Sequence, residues 1–96
     1  MRLAHHDSAS GDRTAVLIHG MMSDHRAWHR VEAELADEGF RVVTVDLAGH
    51  GASPRARRYS PRRWAEDVIE TLDEVLDSAP DLIVGHSLGA LVASLV

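Results

Sequence analysis

With 96 residues the chain has room for one domain or part of one, and an apolar content of 45% is ordinary for a globular protein. Its net charge of −5 argues against a nucleic-acid partner, and no apolar run approaches the roughly 18 residues a membrane span needs. All ten basic residues are arginine, and lysine, cysteine, asparagine and glutamine are absent. This excludes a lysine Schiff base, a P-loop lysine, disulfides, thiolate metal sites and side-chain amide donors. No apolar leader follows Met1-Arg-Leu-Ala-His-His6, so a cytoplasmic location is expected.

Residues 2–7 are read as a first strand and Ser8–Arg13 as a turn. Ala15-Val-Leu-Ile-His19 is a short apolar run of the kind buried on both faces of a sheet. Gly20 ends it. Ser23 or Asp24 can cap a helix whose apolar positions are Trp28, Val31 and Leu35, and Gly39 stops it. Arg41-Val-Val-Thr-Val-Asp46 is a β-branched strand, followed by the glycine-rich turn Leu47–Pro54.

The arginine cluster at 55, 57, 58, 62 and 63 is read as a solvated loop and helix start. Ser60 and Pro61 open that helix as cap and first residue, and Trp64, Val68, Leu72, Val75 and Leu76 form its apolar stripe. Ser78-Ala-Pro80 breaks it, Asp81–Gly85 is a further strand, and a helical pattern runs from Leu88 to Val96. Alternating strands and helices imply a mostly parallel sheet of about four strands with three helices. Such sheets gather function at the carboxyl ends of their strands. Glycine-containing turns lie at three of those ends: His19–Met21, Asp46–Ser53 and Gly85–Gly89.

Gly85-His86-Ser87-Leu88-Gly89 carries the sharpest signal. A serine jutting from a strand-to-helix turn adopts strained backbone angles, and glycine is wanted two residues either side because those positions crowd beneath the turn. The following helix points free N–H groups at the reaction centre. The His19-Gly20-Met21-Met22 loop can offer a second backbone donor. The amides of Met21 and Leu88 are the expected pair. The methionine side chains at 21 and 22 either line the site or pack on the core as ordinary loop residues.

At these residues the chain resembles the α/β-hydrolase family. "VLIHGMMSDHRAW" is similar to its strand, His-Gly loop and first helix; "VVTVDLAGHGAS" to its Asp-x-x-Gly-x-Gly-x-Ser turn; "LIVGHSLGA" to its nucleophile elbow. Ala90 stands where many relatives carry a second glycine. The resemblance covers residues 15–96. It implies an eight-stranded, mostly parallel sheet with a Ser–Asp/Glu–His triad, of which residues 1–96 would be the N-terminal part of one domain. It implies Ser87 as nucleophile and His19, Gly20, Gly85, His86 and Gly89 as structural residues at the site. It implies no metal or organic cofactor, and a small-molecule acyl substrate: an ester, thioester, lactone or related bond.

In that family the acid and the histidine follow the serine along the chain. After Ser87 come only Leu88-Gly-Ala-Leu-Val-Ala-Ser-Leu-Val96, with neither acid nor base. The expectation is therefore an N-terminal portion, inactive alone. Among the upstream histidines, His86 is expected to be packed, His19 to order backbone, and His50 to serve its turn. His25 and His29, though spaced i,i+4 as metal ligands can be, are read as surface residues. Asp46 is read as a structural turn residue. By the same resemblance Ala15–His19 lies between Arg41–Asp46 and Asp81–Gly85. The outer edge of Asp81–Gly85 is then bare and open to self-association. The rival reading is a short non-catalytic binding or assembly protein.

Overall fold

The computed structural model describes residues 1–96, in which four strands form one sheet. They are β1 (His5–Asp7), β2 (Arg13–Ile18), β3 (Phe40–Val45) and β4 (Leu82–Gly85). Their spatial order is β1-β3-β2-β4. β2 runs parallel to β3, from Arg13 opposite Phe40 to Ile18 opposite Val45. It also runs parallel to β4, from Ala15 opposite Leu82 to Ile18 opposite Gly85. β1 adds antiparallel to the outside of β3. The expected central place of β2 is found, and Ala15, Val16, Leu17 and Ile18 are fully buried.

Three α-helices flank the sheet: α1 (His29–Asp37), α2 (Pro61–Val75) and α3 (Leu88–Leu95). Pleating sends alternate side chains to opposite faces. Val16, Ile18, Val43 and Val45 therefore meet Trp64, Val68 and Leu72 of α2 and Val92 of α3 in one core. Burying each such side chain stabilises by about 1.5–3 kcal/mol. α2 begins as its sequence predicts: Ser60 Oγ accepts the Arg63 amide at 3.1 Å, with Pro61 in the first turn. It ends at Val75, one residue short of the predicted stripe, because Leu76 is already extended.

Two expectations are corrected. The first strand is only His5–Asp7. Leu3 and Ala4 give their amides instead to Thr71 Oγ1 and Ser53 Oγ, both at 2.9 Å, so side chains replace a strand partner there. The helix expected to include Trp28 opens as a 3-10 turn over His25–Trp28 and turns α-helical only at His29. Asp24, not Ser23, is its cap, accepting the Arg26 amide at 2.9 Å. α1 packs over β3 on the face opposite α2 and buries none of its own residues.

Candidate active site

The carboxyl ends of β2, β3 and β4 converge. At the end of β4, the His86 amide still donates to the Ile18 carbonyl (3.1 Å), which carries the sheet one residue past Gly85. Ser87 then takes φ 56°, ψ −118°, a conformation that an L-residue holds only under tertiary constraint. α3 starts at once, tightened by bonds from the Gly89 amide to the His86 carbonyl (2.9 Å) and from the Ala90 amide to the Ser87 carbonyl (3.0 Å). Serine at a helix N-cap ordinarily turns its hydroxyl onto the first-turn amides. At Ser87 it does not, and the hydroxyl stays free on an exposed turn.

The flanking glycines are required by space. A Cβ on Gly85 would lie 2.2 Å from the Gly89 carbonyl oxygen, and one on Gly89 only 2.1 Å from that of Ile18. The turn is thus packed backbone to backbone against the end of β2. Ala90 needs no such allowance; it is exposed on α3.

The end of β2 supplies the facing loop. A Cβ on Gly20 would sit 3.3 Å from Ser87 Cβ, so the two loops touch. Buried His19 orders this loop. Its Nδ1 donates to the Gly20 carbonyl at 2.7 Å, and its Nε2 accepts the Leu47 amide at 3.0 Å. One ring nitrogen donates and the other accepts, so the ring is neutral. Burial pushes its pKa below the ordinary 6.5, against the opposing pull of the Gly20 carbonyl. The Ser23 amide also donates to the Gly20 carbonyl. In a planar trans peptide the next N–H points opposite to that carbonyl. The Met21 amide is therefore turned away from these bonds, and neither it nor the Leu88 amide has an acceptor within the chain.

The end of β3 is held by Asp46, which is buried as a turn residue should be. Its Oδ1 accepts both the His25 amide and His25 Nδ1 at 2.8 Å, and its Oδ2 accepts the Ala52 amide at 3.0 Å. Burial alone would raise its pKa, but the donors from Ala52 and His25 outweigh it and the carboxyl is lowered. Gly51, at φ 51°, is needed because a Cβ there would lie 2.4 Å from the Asp46 carboxyl. His50 stays within its turn, bonded to the Ala48 carbonyl, as expected.

His25 and His29 lie at the surface as read, although His25 is also clasped to Asp46, a pairing that its spacing of 21 residues hid. His86 is exposed within residues 1–96. Sequence reading also missed a hollow of about 490 Å³ between the loops after β2 and β3. Met21, Met22, His50, Tyr59 and Trp64 line it. Tyr59 stacks on Trp64 at 5.5 Å, and Trp64 Nε1 donates to the Ala48 carbonyl. Tyr59, lying among arginines, gave no signal of its own. Met21 and Met22 are exposed, so they line this hollow and do not pack into the core.

A mostly parallel sheet whose strand ends carry this turn, loop and carboxylate defines a class, and comparison identifies it. The sequence model of the Alpha/beta hydrolase family matches residues 15–96, and the chain belongs to that family. It is 43% identical over 79 residues to an uncharacterised protein of Mycobacterium tuberculosis, covering 81% of this chain and 23% of that one. It is 39% identical to the pimeloyl-[acyl-carrier protein] methyl ester esterase of Photorhabdus laumondii, covering 91% of this chain and 31% of the esterase. The thioesterase domain from the curacin biosynthetic pathway superposes with a TM-score of 0.82 at 32% identity, covering 94% of this chain and 33% of that one. The chain thus spans about a quarter to a third of the length of these relatives.

Proposed function

We propose that Ser87 is the nucleophile of a serine hydrolase that cleaves an ester, thioester, lactone or related acyl bond. One observation carries this: a strained serine with a free hydroxyl stands beside Gly20, next to two amides that have no acceptor in the chain. On this reading Ser87 Oγ attacks the acyl carbon, and the Met21 and Leu88 N–H groups hold the tetrahedral oxyanion. The hollow beside Met21 and Met22 takes the apolar part of the substrate. Relatives named as esterases and a thioesterase domain support the reaction class.

None of the seven histidines hydrogen-bonds to Ser87, and no acid or base follows it within the 96 residues. The proton acceptor then comes from polypeptide outside residues 1–96, and this chain alone is inactive. The test uses a fluorophosphonate probe. Protein translated from the whole open reading frame should label at Ser87 and lose labelling in Ser87→Ala, while the 96-residue chain should label weakly. No labelling of the complete product would end the nucleophile assignment; strong labelling of the 96-residue chain would refute its inactivity.

A second reading, a non-catalytic assembly module, draws on the open outer edge of β4 and the exposed Leu82, Leu91 and Leu95 near it. It gains if a stop codon follows codon 96 and the short product is soluble and abundant.

A further inference from the structure

The arginines of this chain fall into two groups. Arg2, Arg13, Arg26 and Arg41 are each bonded to an acidic side chain or a backbone carbonyl. Of the remaining six, five lie within nine residues, at 55, 57, 58, 62 and 63. All five are exposed, and none of their guanidinium groups has an acidic partner or a hydrogen bond within the chain. No acidic residue falls between 55 and 63. Glu66, one turn along α2 from Arg62 and Arg63, is not within ion-pair distance of either, and Asp67 faces the amino group of Met1 at 3.0 Å. Arg62 and Arg63 also stand in the first turn of α2, where the helix dipole is positive and cations are disfavoured. The cluster therefore does nothing for the helix it opens.

The backbone that carries it is held. The Gly49 amide donates to the Pro54 carbonyl at 2.8 Å, the Ala56 amide to the Tyr59 hydroxyl at 3.0 Å, and Ser60 caps α2. Shared walls then place the arginines relative to the hollow beside Met21. Ala48, Tyr59 and Trp64 line that hollow and also a second one, of about 300 Å³, which Arg58 and Arg63 line as well. These two arginines thus stand across the Tyr59–Trp64 stack from Met21. The second hollow is not itself a seat for an anion, since Glu66, Asp67 and Glu70 face it too; it fixes where the arginines stand. From His19, ring neighbours lead through His50 (5.2 Å) and Trp64 (6.2 Å) to Tyr59 (5.5 Å), a path suited to an extended acyl chain.

Resting on the reading of Ser87 as nucleophile, we propose that the substrate is anionic. A carboxylate or phosphate at the end remote from the bond cleaved lies on the exposed arginines, with Arg58 and Arg63 its first contacts and the apolar stretch of the substrate crossing Tyr59. Guanidinium groups hold such anions through charge-assisted, often bidentate hydrogen bonds, and a cluster of them draws anions in from solvent.

The test uses protein translated from the whole open reading frame. Two para-nitrophenyl esters of equal chain length are compared, the octanoate and the suberate half-ester, the second ending in a carboxylate; octanoyl coenzyme A serves as the phosphate-bearing arm. The ratio of kcat/KM for the suberate to that for the octanoate, or the turnover of the coenzyme A thioester, should fall at least tenfold in Arg58→Gln/Arg63→Gln, mainly through KM. Whichever arm responds identifies the source of the anion. Arg30→Gln on α1 should leave both unchanged. The preference should also weaken with added salt, because exposed charges are screened over about 10 Å at 0.1 M ionic strength. If Ser87 takes the fluorophosphonate label but neither arm responds to the double variant, this proposal falls and the nucleophile assignment stands. A binding arm is independent of turnover: monomethyl suberate titrated into Ser87→Ala should bind at least tenfold more weakly once Arg58 and Arg63 are also replaced by glutamine. Equal binding there, with no response of the thioester, would overturn the proposal whatever the fate of Ser87.

Discussion

His19 and Leu47 are joined across the tops of β2 and β3 by a 3.0 Å bond from the Leu47 amide to His19 Nε2. The same ring fixes the Gly20 carbonyl through Nδ1. Replacing His19 with phenylalanine keeps the volume but strands a buried N–H and frees the Gly20 peptide. A loss of roughly 1–3 kcal/mol in urea unfolding is expected. An unchanged urea midpoint would show that the ring only fills space.

The same residue sets a pH dependence. The folded ring stays neutral with its pKa held below 6.5, while the unfolded ring titrates at its ordinary value. The unfolded state therefore binds more protons as pH falls through about 6.5, and that part of the stability is lost on acidification. Unfolding of parent and His19→Phe at pH 7.5 and 5.5 isolates the effect. The gap between them should narrow at the lower pH; a widening gap would contradict a neutral buried ring.

The glycines of the turn separate steric need from conformational need. Gly85→Ala and Gly89→Ala drive a methyl into backbone carbonyls, and each should destabilise by about 1–3 kcal/mol or more, since overpacked backbone has little room to move. Gly39 has φ 90° but nothing within 4 Å of its Cβ position, so Gly39→Ala carries only the left-handed strain, about 1 kcal/mol. Melting curves that rank Gly39→Ala as the most harmful would reverse this account.

These contrasts show what the sequence could and could not reveal. The central strand was legible because Ala15–Ile18 is continuously apolar, and α2 because its cap, proline and stripe agree. Glycines 85 and 89 were legible because a local turn enforces its own spacing. The His25–Asp46 clasp and the His6–Glu32 pair were not, because each joins residues far apart in sequence whose types have many other uses.

Ser87 offers a test of stored strain. At φ 56°, ψ −118° glycine is comfortable and serine is not, so Ser87→Gly should stabilise the protein by roughly 1 kcal/mol. Ser87→Ala retains the Cβ and the strain and should melt within about 0.5 kcal/mol of the parent. A destabilised Ser87→Gly would mean that the hydroxyl or Cβ makes a structural contact. The free hydroxyl would then lose its standing as a feature kept for chemistry.

The last prediction concerns the far side of β4. Its outer backbone edge has no strand partner, and Leu82 is 37% exposed on the sheet face that α1 leaves open. α3 has no charged residue, yet Leu91 and Leu95 are half exposed. A helix apolar all round is one that proteins bury, and a bare apolar edge strand pairs with other chains. The 96-residue chain on its own is therefore expected to self-associate through β4 and α3, or to melt early without cooperativity. Sedimentation velocity should show concentration-dependent oligomers, and Leu91→Lys with Leu95→Lys should reduce them. A monodisperse monomer with a sharp, high melting transition would mean that four strands and three helices suffice, and that the open edge is tolerated.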